Sequence, residues 1–195
     1  LRSNSIGPQG AKALADALKI NRTLTSLSLQ SNVIKDDGVM YMAEALVSNQ
    51  IISTLQLQKN LIGPRGAQQM ADALKKNRSL RELMFSSNTI GDRGAMALAE
   101  ALKVNQGLEN LDLQSNAISN TGVAVLMRAL CTNQTLSSLN LRENSISPEG
   151  AQALAQALCR NTTLKHLDLQ WNFIQAGAAR ALGQALQLNR TLTTL

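Results

Sequence analysis

The stretch LTSLSLQSNVIKDDGVMYMAEALVSNQI, residues 24–51, decides the fold because its pattern recurs every 28 residues along the chain. One asparagine column follows that interval at Asn4, Asn32, Asn60, Asn88, Asn116, Asn144 and Asn172. A second column lies at Asn21, Asn49, Asn77, Asn105, Asn133, Asn161 and Asn189, and a glycine column at Gly10, Gly38, Gly66, Gly94, Gly122 and Gly150. Seven copies in one register identify an internal repeat.

Each repeat combines a strand pattern with a helix pattern. Leu27 and Leu29 alternate with polar residues, as in a short strand with one buried face. Residues 11–18 place alanine and leucine at the i, i+3, i+4 and i+7 positions of an amphipathic helix. The sequence therefore predicts an α/β fold in which every repeat contributes one strand and one helix.

Such a repeat cannot bury its own apolar face, so the copies are expected to stack and share one core. A helix needs about 10 Å of width and a strand about 4.8 Å, so the stack must curve. We predict a leucine-rich-repeat solenoid over residues 1–195, a horseshoe segment with a parallel concave sheet, convex helices and about seven repeats of one uniform type. Both ends interrupt a repeat, and we expect an uncapped fragment of a longer protein.

The asparagine columns are interpreted as architecture, because equivalent copies in every repeat do not make one active site. The first column is predicted to hydrogen-bond the backbone of the next repeat. The second column, which includes several N-x-[ST] sequons, is predicted to end the helices as left-handed caps. Ser147 is predicted to cap the helix that begins at Pro148.

Composition narrows the functional classes. No uninterrupted apolar span reaches membrane length, so no membrane insertion is expected. Cys131 and Cys159 occupy the same position in neighbouring repeats, where helix axes about 8–10 Å apart prevent a disulfide. Free thiols are typical of a reducing cytosol, which predicts a cytoplasmic location.

Residues for catalysis are not assembled in any recognisable motif. His166 is the only histidine, and the nucleophile, zinc-hydrolase and phosphate-binding motifs are all missing from the sequence. We therefore predict a protein that is not an enzyme, with no catalytic residue, no metal and no cofactor.

A basic rim is the first candidate binding surface, and it follows from the net charge of +6. Its members are Lys19, Arg22, Lys75, Lys76, Arg78, Arg81 and Lys103. One interpretation is that these cations complement helix dipoles on a solvated edge. The other is a site for nucleic acid or another polyanion, although no aromatic residues are interleaved for stacking.

A concave patch near the C-terminal end is the second candidate, and it is the tentative site for a protein partner. Its members are Asp112, Gln114, Arg142, Glu143, His166, Asp168, Gln170 and Trp171. Arginine and tryptophan are enriched among residues that dominate binding energy. The alternative is that Arg142 only pairs diagonally with Asp112 and Asp168.

Residues 113–116 (LQSN), 141–151 (LRENSISPEGA) and 169–174 (LQWNFI) carry a family resemblance. The repeats resemble the ribonuclease-inhibitor class and, most closely, the repeat region of CARD-class NOD-like receptors. That resemblance implies a cytosolic innate-immune regulator that damps inflammatory signalling. Its solenoid would bind a protein partner or the neighbouring nucleotide-binding module of the same receptor, with nucleic acid as the alternative ligand.

Two related classes leave a further alternative open, that of an enzyme inhibitor or a GTPase-activating protein. Ribonuclease inhibitor alternates two repeat types and is rich in cysteine, whereas this chain has one repeat length and two cysteines. Ran GTPase-activating proteins use related repeats, but none of their functional positions can be matched to residues of this chain.

Overall fold

The computed structural model describes all residues from Leu1 to Leu195, in which helices and strands alternate. The helices are α1 (Pro8–Ile20), α2 (Lys35–Ser48), α3 (Pro64–Leu74), α4 (Gly91–Leu102), α5 (Asn120–Leu130), α6 (Pro148–Leu158) and α7 (Ala176–Leu188). The strands are β1 (Ser26–Ser28), β2 (Thr54–Gln56), β3 (Glu82–Met84), β4 (Asn110–Asp112), β5 (Ser138–Asn140) and β6 (His166–Asp168). No helix combines the length and the apolarity that crossing a membrane requires.

All strands lie parallel in one open sheet, in the order in which they occur along the chain. Leu27 pairs with Leu55 and Leu55 with Leu83, so the register equals the repeat length. Each central leucine is buried beneath the sheet, and the residues on either side of it face outward. A single apolar cluster runs through the stack, so the repeats share one core. The predicted leucine-rich-repeat solenoid is confirmed.

The first asparagine column links each repeat to the preceding one. Asn116 is fully buried, and its Nδ2 donates to the carbonyl of Phe85 at 3.0 Å. Its Oδ1 accepts from the backbone N–H of Ile90 at 3.3 Å. The predicted direction, toward the next repeat, was wrong, because the backbone groups within reach of this side chain belong to the repeat before it.

The left-handed backbone also lies elsewhere than predicted. Asn49, in the second column, is extended with φ −85° and ψ 116°. The residue before each ladder asparagine is left-handed instead, as at Ser115 (φ 51°), Glu143 (φ 53°) and Trp171 (φ 56°). This conformation is unusual for residues other than glycine.

Extended backbone suits the second column because its side chain bonds in two directions. Asn105 Oδ1 accepts from the N–H groups of Gly107 at 2.9 Å and Leu108 at 2.7 Å, which shapes the turn into the next strand. Its Nδ2 donates to the carbonyl of Leu74, at the end of the preceding helix, at 2.7 Å. Asn77, in a sequon, is buried and bonded in the same way.

Helices begin in two different ways although all repeats have one length, so the predicted uniform type was wrong at this point. Helices α1 and α3 begin with proline after an extended glycine. Helices α2 and α4 begin at Lys35 and Gly91, whose φ angles are 57° and 59°. The aspartate that follows in each case reaches the next repeat: Asp36 accepts from Gly63 N–H at 2.6 Å, and Asp92 from Ser119 N–H at 2.7 Å.

Ser147 does not cap α6 with its side chain, contrary to the prediction. Its hydroxyl bonds to Glu149, and its own N–H donates to Asn120 Oδ1 at 2.9 Å. The polar residue at the start of one helix therefore bonds the start of the following helix, a connection between repeats that single-helix capping rules do not describe.

Two helical glycines should respond in opposite ways to alanine. A β-carbon on Gly94 would lie 2.3 Å from Ile90 Cγ2 and 2.9 Å from the β-carbon of Ala67, so α3 and α4 would have to separate. We expect Gly94→Ala to destabilise the fold by about 1–3 kcal/mol. Gly183→Ala meets nothing within 4 Å and should stabilise it by up to about 1 kcal/mol through helix propensity. Urea unfolding would measure both, and a shift of the same sign would contradict this packing argument.

Candidate protein-interaction site

The concave patch is built on the last strands of the sheet. Asp112 pairs in register with Asn140, and Asn140 with Asp168, so the three side chains form one row across β4, β5 and β6. Each of them faces away from the buried leucine of its strand. Arg142 and Gln170 lie two residues beyond this row, where the strands run into loops.

Arg142 lies at the centre of the patch and contacts two of its members. Its Nη1 donates to Gln170 Oε1 at 2.6 Å, and its Nε lies 3.4 Å from Glu143 Oε1. The diagonal pairing with Asp112 and Asp168, weighed above as an alternative, is not formed. Because a guanidinium has five donor hydrogens, donors remain for a partner.

The aspartates of the row are engaged by their own strand ends. Asp112 Oδ1 accepts from the backbone N–H of Gln114 at 3.1 Å. Asp168 Oδ1 accepts from the backbone N–H of Gln170 at 2.9 Å. This explains why both carboxylates turn along their strands rather than toward Arg142.

Glu143 gives the patch a fixed negative charge. Hydrogen bonds from Ser115, first, and then from Gln114 and Arg142 lower the pKa of its carboxyl below the usual value. The group is therefore ionised at neutral pH. Cation, anion and amide donors thus lie within a few ångströms of one another at the edge of the sheet.

Two aromatic residues stand beside these charges. Trp171 is 72% exposed and Phe173 is 65% exposed, on the loop between β6 and α7. Trp171 is a predicted member of the patch, whereas Phe173 was not predicted. The available signal was its column, in which Val33 and Leu61 are also apolar residues exposed to solvent. In a chain with only 2% aromatic residues, this pair is the largest exposed aromatic surface.

His166 lies at the outer edge of the row. Its Nδ1 is 3.0 Å from Thr194 Oγ1. A shallow cavity of about 280 Å³ is lined by His166 together with Asn140, Asp168 and Gln170. The patch is therefore uneven in shape as well as mixed in charge.

The cations of the basic rim are largely matched by acids or carbonyls. Ion pairs join Lys19 to Asp16, Lys75 to Asp72, Lys103 to Glu100 and Arg81 to Glu109. The hydrogen bond from Lys75 lowers the pKa of Asp72, so this carboxylate stays charged beside its lysine. Arg78 and Arg22 donate to backbone carbonyls. Only Lys76 forms neither kind of contact, so six of the seven rim cations already have a partner within the chain.

One parallel sheet, helices on its other side and two asparagine ladders define the class: a leucine-rich-repeat solenoid, an architecture used for protein interaction. A family profile described as "NLRC3 LRR domain" matches residues 1–170, and one described as "Leucine Rich repeat" matches residues 160–183. The chain belongs to the NLRC3 leucine-rich-repeat domain family. The resemblance to NOD-like receptors, and to the third member of their CARD class, is confirmed.

Several solved structures share the fold. Actin-binding site 2 of leiomodin-1 is 23% identical over 89% of this chain and 85% of its own, with a TM-score of 0.58. The tropomodulin C-terminal domain of Caenorhabditis elegans is 14% identical over 91% of both chains, with a TM-score of 0.54. A chain of the Rad7–Elc1 complex from yeast is 20% identical over all of this chain and 48% of its own, with a TM-score of 0.64. These likenesses concern the fold alone, and no curated protein matches the chain.

Proposed function

We propose that this chain is the partner-docking solenoid of a cytosolic innate-immune receptor, and that it damps inflammatory signalling by holding a protein on the concave patch. The observation that carries the proposal is that exposed Trp171 directly follows Gln170, whose side chain orients the Arg142 guanidinium. Family membership supports the immune role and the cytosolic location. The proposed role is binding without catalysis.

The patch has the chemistry of a binding hot spot. Tryptophan and arginine supply large contact areas and directional donors, and their desolvation on binding gives them a dominant share of the energy. The negative charge of Glu143 repels any partner that would place an acidic group next to it. Preorganisation by the Gln170 bond reduces the entropy that Arg142 loses on binding.

The partner that we propose is the neighbouring nucleotide-binding module of the same receptor, or a signalling protein that the receptor restrains. The polyanion alternative has weaker support because four of the seven rim cations already face a carboxylate within 3.2 Å. The concave sheet surface carries an acid in three of its last four strands, namely Glu82, Asp112 and Asp168, which is also the wrong sign for a nucleic-acid backbone.

Titration calorimetry with the purified nucleotide-binding module tests the proposal. Arg142→Ala or Trp171→Ala should each weaken binding by about 2 kcal/mol or more, since each removes a central anchor. Lys59→Ala is the matched control, because Lys59 occupies the Trp171 position in another repeat. It should leave affinity unchanged.

Variants in the basic rim distinguish binding at the rim from binding at the concave patch. Replacing Lys75, Lys76 and Arg78 together by alanine should alter mainly the association rate and its salt dependence. If this triple variant abolishes binding while Arg142→Ala and Trp171→Ala bind normally, the polyanion interpretation replaces ours. If the nucleotide-binding module binds neither the wild-type chain nor any of these variants, it is not the partner.

A further inference from the structure

A second surface, on the opposite side of the solenoid, stands out in the packing of the helices. A cavity of about 480 Å³ lies between α5 and α6. We call it the convex groove and define it by Met127, Arg128, Cys131, Gln156, Cys159 and Arg160. None of these residues belongs to the concave patch, so this surface is independent of the function proposed above.

The groove lies where two columns of the repeat change their chemistry. In three of the four earlier repeats these columns hold an acid and, three residues later, a lysine: Asp16 with Lys19, Asp72 with Lys75 and Glu100 with Lys103. In the next two repeats the same columns hold Arg128 with Cys131, and Gln156 with Cys159. The pairs that neutralise and cover the convex surface elsewhere are thus replaced by a cation, an amide and two thiols.

A third column changes at the same place. Ala15, Ala43, Ala71 and Ala99 occupy equivalent helix–helix contacts, and Met127 takes this position in α5. Met127 is 2% exposed, so its longer side chain is almost wholly buried beside this cavity. Methionine is flexible and adapts its shape to an apolar ligand. With Ala124, Ala153 and Ala157 it forms an apolar floor.

The edges of the groove carry uncompensated positive charge. Neither Arg128 nor Arg160 forms an ion pair, in contrast to Lys19, Lys75 and Lys103. Helices α5 and α7 contain no carboxylate at all. The one on α6, Glu149, lies in the first turn, at the opposite end from Arg160, where Ser147 and Asn120 bond it.

We propose that the convex groove docks an amphipathic helix of a partner protein, with its apolar stripe on the groove floor and its acidic residues against Arg128 and Arg160. Apolar grooves between helices are a recurrent site for such helices. Arginine binds carboxylates in a bidentate manner and tolerates partial desolvation better than lysine. The lining residues on the α5 side run from Ala124 to Cys131, which at 1.5 Å per residue is about 10 Å, enough for about two helical turns. A nucleic acid would leave the apolar floor unused.

Fluorescence anisotropy tests this with a stapled helical peptide of about 14 residues that carries leucines on one face and glutamates on both flanks. The wild-type chain should bind it, and an isosteric peptide with glutamine in place of glutamate should bind about tenfold more weakly or worse. Arg128→Glu with Arg160→Glu should cause a similar loss. The matched control is Lys76→Glu with Arg93→Glu, two cations without ion pairs outside the groove, and it should retain affinity.

A variant that is expected to keep the fold shows whether misfolding causes the loss of peptide binding. Arg128→Glu combined with Cys131→Lys copies the Glu100–Lys103 pair of the preceding repeat, so it should keep the melting temperature and lose peptide binding. Because Cys131 and Cys159 are the only cysteines, maleimide labelling followed by intact mass also locates the peptide. Bound peptide should slow the labelling of both thiols.

Three results would overturn the proposal: no binding of the acidic helix, equal binding of the glutamine peptide, or unprotected thiols in the complex. Displacement of the peptide by a DNA duplex, with retention of duplex binding in the Met127→Ala variant, would assign the groove to nucleic acid instead. Concave-patch variants such as Trp171→Ala should leave this binding unchanged, so failure of one proposal does not decide the other.

Discussion

Asn105→Ala should destabilise the solenoid by about 4 kcal/mol, because several buried backbone groups lose their partners and each costs about 1–3 kcal/mol. The N–H groups of Gly107 and Leu108 are buried and have Asn105 Oδ1 as their only acceptor. The carbonyls of Leu74 and Asn77 lose a donor at 2.7 Å and 3.1 Å. The missing amide also leaves a void in a tightly packed turn.

Thermal unfolding followed by circular dichroism measures this effect. Gln106→Ala is the control, since Gln106 is the next residue, is exposed and forms no hydrogen bond. Its melting temperature should match the wild type. If both variants melt together, the second asparagine column contributes nothing beyond an ordinary turn. Because stability in a repeat stack depends on interfaces between neighbours, Asn105→Ala should also broaden the transition.

Asn116→Ala should cost about 3 kcal/mol, somewhat less than Asn105→Ala, because fewer groups lose their only partner. The N–H of Ile90 has no other acceptor. The carbonyl of Gln114 loses the Asn116 donor at 3.0 Å but keeps the bond from the N–H of Ser87 at 2.8 Å. Phe85 keeps a bond to Asn88 Nδ2 at 2.8 Å, which limits the loss there. Urea unfolding of purified protein would give the difference in unfolding free energy.

Ala117→Ser is the matched control for this variant. Ala117 follows Asn116, and its column already contains serine at Ser145. The backbone there is left-handed with φ 55°, so Ala117→Gly should be neutral or mildly stabilising. An equal loss of stability in Asn116→Ala and Ala117→Ser would refute the role of the ladder.

Both proposed binding surfaces lie where the repeat columns depart from their usual residues. On the concave side, the ends of β1 to β4 have glutamine or serine at the position of Arg142, and the earlier copies of the Trp171 position are serine, lysine and glutamate. On the convex side, Arg128 follows four acids. A solenoid keeps its core positions constant to preserve stacking, which leaves variation at exposed positions to determine what it binds.

The sequence by itself determined the strand–helix repeat, the parallel order and the alignment of concave rows such as Asp112, Asn140 and Asp168. These follow from a 28-residue period and from local apolar spacing, which any single repeat displays. It also placed Arg142 and Trp171 on one surface, because residues one period apart become neighbours across the sheet.

Only the tertiary structure decided the direction of the ladders, the left-handed backbone at Trp171, the exposure of Phe173 and the unpaired state of Arg128. Each depends on which groups of an adjacent repeat lie within hydrogen-bond reach, and partners 26 to 31 residues away leave no local pattern. Those contacts outweigh the conformational preference of each single residue. Serine, glutamate and tryptophan adopt the left-handed backbone that is typical of glycine, because the hydrogen bonds between repeats hold the neighbouring residues in that geometry.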